Sequence, residues 1–470
     1  MIARRHQSYD HLRAWGYTRV IYPGLHPQIY GGLGRRIRQL EEREHWPLGE
    51  NRKRQWQDLR TLLRHAQESS PFYERRFADA NVHADEIQSL EDLAKIPPLT
   101  RDDLRHHLED IYSRKFRRED LKQSATGGTT DTPVPILRSS ESIRWKNAVL
   151  LRLNAWAGFL PGDKVFYLWG ALQDYSENPS LRWRLYDRYL MRQVWAPTSL
   201  LNGQVLESYR QKINQFRPRI IYAYPTPLTL FCEYLRDSER TFHRPQSVIC
   251  TAEPLLAAQR KVIEEVLRCP VFEHYGSRDF GMIAAECEAH QGLHVNPAAA
   301  FVEFIPVQGA EEEGLHEILV TDLLNYGMPL IRYRINDCAM LGPERCSCGM
   351  GFPLIQPIAG RTTDNFLLPS GDVVPGISLT NRVIQVCPGI KKIQVIQEAL
   401  CDFRVRYVTG DGFAQEDLNH LREKLNVYFG DSVQWSFEHT AEIPREKSGK
   451  TRLCISRVSN SSPTSSQNFK

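Results

Sequence analysis

The chain has 470 residues, 41% of them hydrophobic and 25% charged, with a formal net charge of +4. This leaves room for two or three domains with buried cores, and so small a charge over so long a chain gives no basic stripe of the kind nucleic-acid binding requires. No apolar run nears the ~18–20 residues that span a bilayer, and charges stand between Met1 and Arg13 where a secretory leader needs its apolar stretch, so a cytoplasmic location is expected.

Up to about Leu121 the sequence is rich in helix formers and charge, which predicts a helical N-terminal region, 1–121, of a larger domain. Thr100 with Asp103 three residues later fits a helix-capping start. Arg101 to Arg118 carries both signs of charge and reads as a solvated helical face. Next comes Thr126-Gly127-Gly128-Thr129-Thr130-Asp131-Thr132-Pro133, a loop whose glycines and hydroxyls suit it to wrap a polyphosphate in backbone N–H and side-chain O–H donors. A solvent-exposed Gly/Thr turn is the plain alternative.

From about Gln123 the apolar runs Val165-Phe166-Tyr167-Leu168-Trp169, Ile220-Ile221-Tyr222-Ala223-Tyr224 and Ser247-Val248-Ile249-Cys250-Thr251 alternate with helical patterns. That alternation predicts a layered α/β core, 122–361, with much parallel pairing. After Arg361 the segments shorten. Ile393 to Ile396, Phe403 to Val408 and Val433 to Glu438 read as strands and Gln415 to Phe429 as a helix, together a small α+β C-terminal domain, 362–460. Gly360-Arg361-Thr362-Thr363-Asp364 reads as its hinge. The polar 461–470 tract reads as a disordered tail.

Ten cysteines without a dense spacing point to reduced thiols. Cys346 and Cys348 are the exception: with Cys287 and His294 they offer three thiolates and an imidazole, the donor set of a closed tetrahedral zinc site. Cys338, His290 and His316 are alternative ligands, and free buried thiols are the reading without metal.

Further segments follow the Gly/Thr loop in a fixed order: Tyr275-Gly276-Ser277-Arg278-Asp279, Thr321-Asp322 running into Arg332-Tyr333-Arg334-Ile335-Asn336-Asp337, Gly360-Arg361, and Ser448-Gly449-Lys450. The series resembles the adenylate-forming (AMP-binding) superfamily, most closely the branch of phenylacetate–coenzyme A ligases and CapK-type enzymes. The resemblance runs from about Trp56 to about Val458 and includes Pro71-Phe72-Tyr73 and Ile96-Pro97-Pro98-Leu99-Thr100. It implies a large layered N-terminal adenylate-forming domain with a small mobile C-terminal lid.

The resemblance also implies roles. Thr126, Gly127, Gly128, Thr129 and Thr130 hold the β- and γ-phosphates of ATP. Ala252, Glu253, His274, Tyr275 and Gly276 line the nucleotide, with Tyr275 stacked on adenine and Glu253 reading it mainly through its backbone. Asp337 accepts from the ribose hydroxyls and Arg361 steadies ribose or phosphate. Asp279 reaches a magnesium ion, for which hard oxygen ligands are suited. Lys450, rather than Lys447, is the lysine carried in by the lid to bridge the α-phosphate and the attacking carboxylate. Asp131 and Asn336 stand where glycine is usual, and Asp279 where glutamate is. Trp169, Gly170, Tyr224 and His274 are the candidate walls of the acid pocket, although aromatics at strand positions are also ordinary core.

The activity expected is ATP-dependent conversion of a carboxylic acid to an acyl-adenylate with release of pyrophosphate, followed by transfer to coenzyme A. Transfer to an amine or sugar acceptor, as in CapK-like relatives, and nucleotide binding without turnover are the alternatives. The cofactors expected are ATP, Mg2+ and a structural Zn2+; the partners are the acid and its acceptor, with no nucleic acid and no membrane span, and a homodimer is the assembly considered.

Overall fold

The computed structural model describes residues 10–125, 134–170, 180–198, 201–238, 240–307, 314–361, 366–369, 373–374, 389–410, 412–430, 432–444 and 453–458. The Thr126 to Pro133 loop, Thr362 to Asp364 of the expected hinge, Lys447, Lys450 and the 461–470 tract lie outside the described residues.

The N-terminal region is helical, and its longest helix, Leu48–Ser69, turns Leu59, Leu62, Leu63 and Ala66 inward at helical spacing. Pro71 opens the next helix, Pro71–Asp79, at a position where its missing N–H costs nothing. Thr100 and Asp103 form a reciprocal cap: the Asp103 N–H donates to Thr100 Oγ1 at 3.1 Å and the Thr100 N–H to Asp103 Oδ2 at 2.8 Å. The charge-rich stretch that follows is two short helices, Arg101–His106 and Leu108–Ile111, rather than one face, because Leu104 and Ile111 are each drawn into the core.

The α/β core begins with β1 (Lys122–Ala125) and β2 (Pro135–Arg138), an antiparallel pair with Ala125 opposite Pro135. Then come β3 (Val165–Trp169), β4 (Gln193–Pro197), β5 (Ile220–Ala223), β6 (Ser247–Thr251), β7 (Val271–Ser277), β8 (Gly281–Glu286) and β9 (Leu293–Val295). They are followed by β10 (Ala300–Pro306), β11 (Leu315–Asp322), β12 (Tyr333–Met340), β13 (Leu354–Ile355) and β14 (Gly360–Arg361). An eight-stranded sheet has the order β13-β9-β8-β7-β6-β5-β3-β4, parallel from β4 to β7 and antiparallel beyond. Every residue of β5 and β6 is buried, as expected of parallel strands covered on both faces. One face packs on helices Gly203–Phe216, Pro225–Ser238 and Ala257–Leu267. A second, antiparallel sheet has the order β10-β11-β12-β14.

The N-terminal helices share one core with both sheets, running from Leu59 to Ile355. Two polar stitches fix this packing. The Tyr73 hydroxyl donates to the Pro329 carbonyl at 3.0 Å and accepts from the Ile331 N–H at 3.1 Å. Arg332, buried beside Glu303, donates to that carboxylate at 3.0 and 3.2 Å and to the carbonyls of Ala94 (3.0 Å) and Ile96. Leu99 then bridges to the Arg332–Arg334 backbone. The segments at Tyr73 and Ile96 to Leu99 therefore brace the approach to β12, which carries Asp337.

The C-terminal part holds β15 (Phe366–Leu367), β16 (Val373–Val374), β17 (Ile390–Gln397), β18 (Asp402–Thr409), the Gln415–Phe429 helix, β19 (Gln434–His439) and β20 (Cys454–Ser456). Its four-stranded sheet has the order β19-β18-β17-β20. β18 and β19 are parallel, joined by the helix, while β17 and β18 are antiparallel. Phe366, Phe403, Leu421, Leu425 and Phe429 lie at the centre of a core drawn only from residues 366–454.

Candidate active site

The site forms where β7 meets β12. Tyr275, on the first, donates its hydroxyl to Asp337 Oδ2 on the second at 2.9 Å, and both residues are buried. Two residues 62 positions apart are thus joined directly. Gly276 allows the sheet to close behind them, since a Cβ there would lie 2.6 Å from the Gly281 carbonyl oxygen. Asn336 has a φ of 64°, the left-handed region that favours glycine and that asparagine tolerates best among the other residues. The departure from glycine at this position is therefore conformationally mild. Arg361 lies opposite Asp337 in the register of β12 and β14, which puts its backbone beside the candidate ribose carboxylate.

The turn after β7 is held from below. Arg138, at the end of β2, donates to the Arg278 carbonyl and to the Asp279 carbonyl at 3.0 Å. Lys146, on the Ser140–Trp156 helix, donates to the Phe280 carbonyl and pairs with Asp322 Oδ2 at 2.7 Å. Burial pulls both cations below their ordinary pKa, and the Asp322 and Asp279 charges pull back up. Charge at the turn is thus largely balanced within the protein, with Asp279 about 9% exposed. The same contacts tie the end of β2 away from the Gly/Thr loop, and the helix that follows it, to the Tyr275 to Asp279 segment. Sequence reasoning missed Arg138 and Lys146, because each acts on residues more than 130 positions away.

Ala252 follows β6 with a φ of 72°, and Glu253 Oε2 accepts from the Thr226 N–H at 3.2 Å. The Glu253 side chain is thereby turned to the start of a helix, leaving backbone at the turn. Glu273 also escaped the sequence reading. It lies on the same face of β7 as Tyr275 and lines a cavity of about 520 Å³ with Leu255, Arg260, Glu286 and His290. Burial, with the neighbouring Glu286 charge, pushes its carboxyl up to about 8. Glu286 is held below the ordinary range by His290 and by Arg260, which reaches both its oxygens at 2.9 Å.

His274 projects to the opposite face of β7, away from Tyr275. Its ring lies 6.0 Å from Tyr222, which in turn faces Trp169 at 5.9 Å, and Trp169 meets Tyr224 at 4.8 Å. Gly170 directly follows β3 and is buried. His274 and the aromatic candidates thus converge on the face of the sheet opposite Tyr275.

Cys287, His294, Cys346 and Cys348 also converge, with ligand atoms all within 4.8 Å of one another. Cys287 Sγ to Cys346 Sγ is 3.6 Å and Cys348 Sγ to His294 Nε2 is 3.4 Å. These are close to the edges, about 3.8 Å for two sulfurs, of a tetrahedron with zinc–sulfur bonds of ~2.3 Å. His294 Nδ1 faces the Phe352 carbonyl at 3.3 Å, the outer contact that orients an imidazole toward a metal. The donor set fits zinc. The alternatives lie elsewhere: Cys338 in an apolar cluster, His290 against Glu286, and His316 half-buried at the Gly314 carbonyl.

Residues 366–457 match the family model of the CapK C-terminal domain. Protein CapK of Staphylococcus aureus is 24% identical over 407 residues, covering 86% of this chain and 88% of that protein. The phenylacetate-coenzyme A ligase of Pseudomonas putida is 29% identical over 422 residues, covering 87% and 86%. The chain is a homologue of CapK and the phenylacetate–coenzyme A ligases. Its fold agrees: the crystal structure of 2-hydroxyisobutyryl-CoA ligase with 2-HIB-AMP superposes with a TM-score of 0.68 at 18% identity, covering 88% of this chain and 91% of that one. The architecture is the mixed α/β body and C-terminal domain of the adenylate-forming ligases. Among the described residues no helix is long and apolar enough to cross a membrane.

Proposed function

We propose that this protein is an adenylate-forming ligase that activates a carboxylic acid with ATP and passes the acyl group to coenzyme A. The observation that carries the reading is the Tyr275–Asp337 contact, with β2, the strand that follows the Gly/Thr loop, tied to the turn after β7 through Arg138.

The acid's carboxylate attacks the α-phosphorus as pyrophosphate leaves, so charge must be offset at both ends of that axis. Thr129 and Thr130, with the backbone of Thr126, Gly127 and Gly128, receive the leaving phosphates. Tyr275 stacks on the adenine, Ala252, Glu253 and Gly276 shape its slot, and Asp337 with Arg361 fixes the ribose. Asp279 would hold a magnesium ion, which supplies charge neutralisation at the phosphates when bound. Lys450, brought by the C-terminal domain acting as a lid, contributes a cation between carboxylate and phosphate. Trp169, Gly170, Tyr224 and His274 receive the acid. Cys287, His294, Cys346 and Cys348 would hold a structural zinc ion, closing a loop of the core with all four positions filled from the protein.

Coenzyme A is favoured as acceptor because homologues spanning most of the chain are phenylacetate-coenzyme A ligases. The CapK match favours an amine or sugar acceptor as the second reading. The test is a panel of carboxylic acids scored by ATP–pyrophosphate exchange, with products then analysed with and without coenzyme A. Exchange with an acid and a thioester product support the proposal; exchange without a thioester moves the assignment to the second acceptor class; ATP binding without exchange for any acid refutes it.

A further inference from the structure

At the proposed acid face His274 is a buried group whose hydrogen-bonding capacity is unspent among the described residues. It is 2% exposed, and among the described residues neither Nδ1 nor Nε2 has a hydrogen-bond partner. A neutral imidazole always carries one N–H donor and one lone-pair acceptor, and native proteins seldom bury both unpaired. Thr251, opposite His274 in the β6–β7 register, gives its hydroxyl proton to the His274 carbonyl at 2.9 Å. Tyr222 presents its ring edge-on at 6.0 Å. The imidazole stands at the carboxyl ends of the parallel strands, where α/β sheets take their ligands.

We infer that His274 selects the substrate, and that the acid taken is a ring-bearing carboxylic acid whose ring carries a hydroxyl group paired with this imidazole. The inference rests on the proposal that this face receives the acid of an adenylation reaction. Trp169, Tyr222 and Tyr224, in ring contact with one another or with His274, put aromatic surface beside the imidazole, the kind of surface that packs against a ring. A hydroxyl donates and accepts at once, so it satisfies either imidazole tautomer, whereas a carboxylate only accepts and an ammonium only donates. Burial holds the ring neutral, with its pKa lowered to about 3, so it offers no cation to a second carboxylate. A site built to pair with a substrate hydroxyl rejects the analogue that lacks it far more strongly than an apolar pocket rejects an extra group.

The test compares matched acids, phenylacetate against its 3- and 4-hydroxy derivatives and benzoate against its hydroxy derivatives, by kcat/KM for ATP–pyrophosphate exchange. Wild type should favour the best hydroxylated member of a pair by about tenfold to a hundredfold. His274→Phe should erase or invert that preference at unchanged KM for ATP, and His274→Gln, which keeps a donor and an acceptor, should retain part of it. Equal use of both members by wild type, or a preference that survives in His274→Phe, overturns the inference and leaves the adenylation reading standing. Absence of exchange with every acid overturns both. If His274→Phe does not fold, the wild-type comparison alone decides.

Discussion

The α/β body and the C-terminal domain both have apolar cores, but the body adds buried ionic contacts to its own. The body is stitched by buried polar contacts between distant segments: Arg332 to Glu303, Lys146 to Asp322, and Tyr275 to Asp337. The C-terminal domain relies on an aromatic and aliphatic centre, with Phe403 packed 4.9 Å from Phe429 and 5.6 Å from Phe366. Buried charges contribute little net stability but demand one geometry, which suits a surface that must place a triphosphate. Among the described residues its core is confined to 366–454, a self-contained build that suits the role proposed for the C-terminal domain as carrier of Lys450.

The contrast is tested most severely at Arg332. Arg332→Met leaves Glu303 buried without its partner and should cost about 3–5 kcal/mol in chemical denaturation of the body, while the transition of the C-terminal domain is unchanged. Cys346→Ser should abolish stoichiometric zinc in the purified protein, together with a stabilisation by added zinc of up to about 4 kcal/mol at a thousandfold excess over Kd; equal zinc content in both proteins removes the metal reading. Asp337→Asn keeps the size of the side chain but loses an ionised acceptor, a loss of about 1.5–3 kcal/mol, seen as a KM for ATP raised by roughly tenfold to a hundredfold.

A pH-dependent effect is expected at Glu273. Its carboxyl is pushed up in the folded protein from an ordinary 4.5 to about 8, so the folded state holds a proton that the unfolded chain has lost over that interval. Stability from this group is complete below about pH 4.5 and falls as pH rises to about 8. Glu273→Gln should remove that fall, so denaturation midpoints at pH 5.5 and 8.5 should draw closer than in wild type.

Much of the frame was legible in the sequence. The apolar runs at β3, β5 and β6 stand out because parallel strands are buried on both faces, and the Thr100–Asp103 cap because capping chemistry is local. The thiol and imidazole quartet was readable from donor type alone. Arg138, Lys146 and Arg332 were not, since an ion pair or carbonyl contact across a hundred residues or more leaves no periodic trace. Arg101 to Arg118 misled because abundant charge hid Leu104 and Ile111, the two apolar residues that set its shape.

The division of labour between body and carrier is tested most directly by Lys450→Ala, assayed separately for ATP–pyrophosphate exchange and for acyl transfer from a preformed acyl-adenylate to coenzyme A. The expected result is exchange reduced by at least about a hundredfold, the scale of one lost transition-state contact, with acyl transfer and melting of the body preserved. Exchange at the wild-type rate contradicts the assignment.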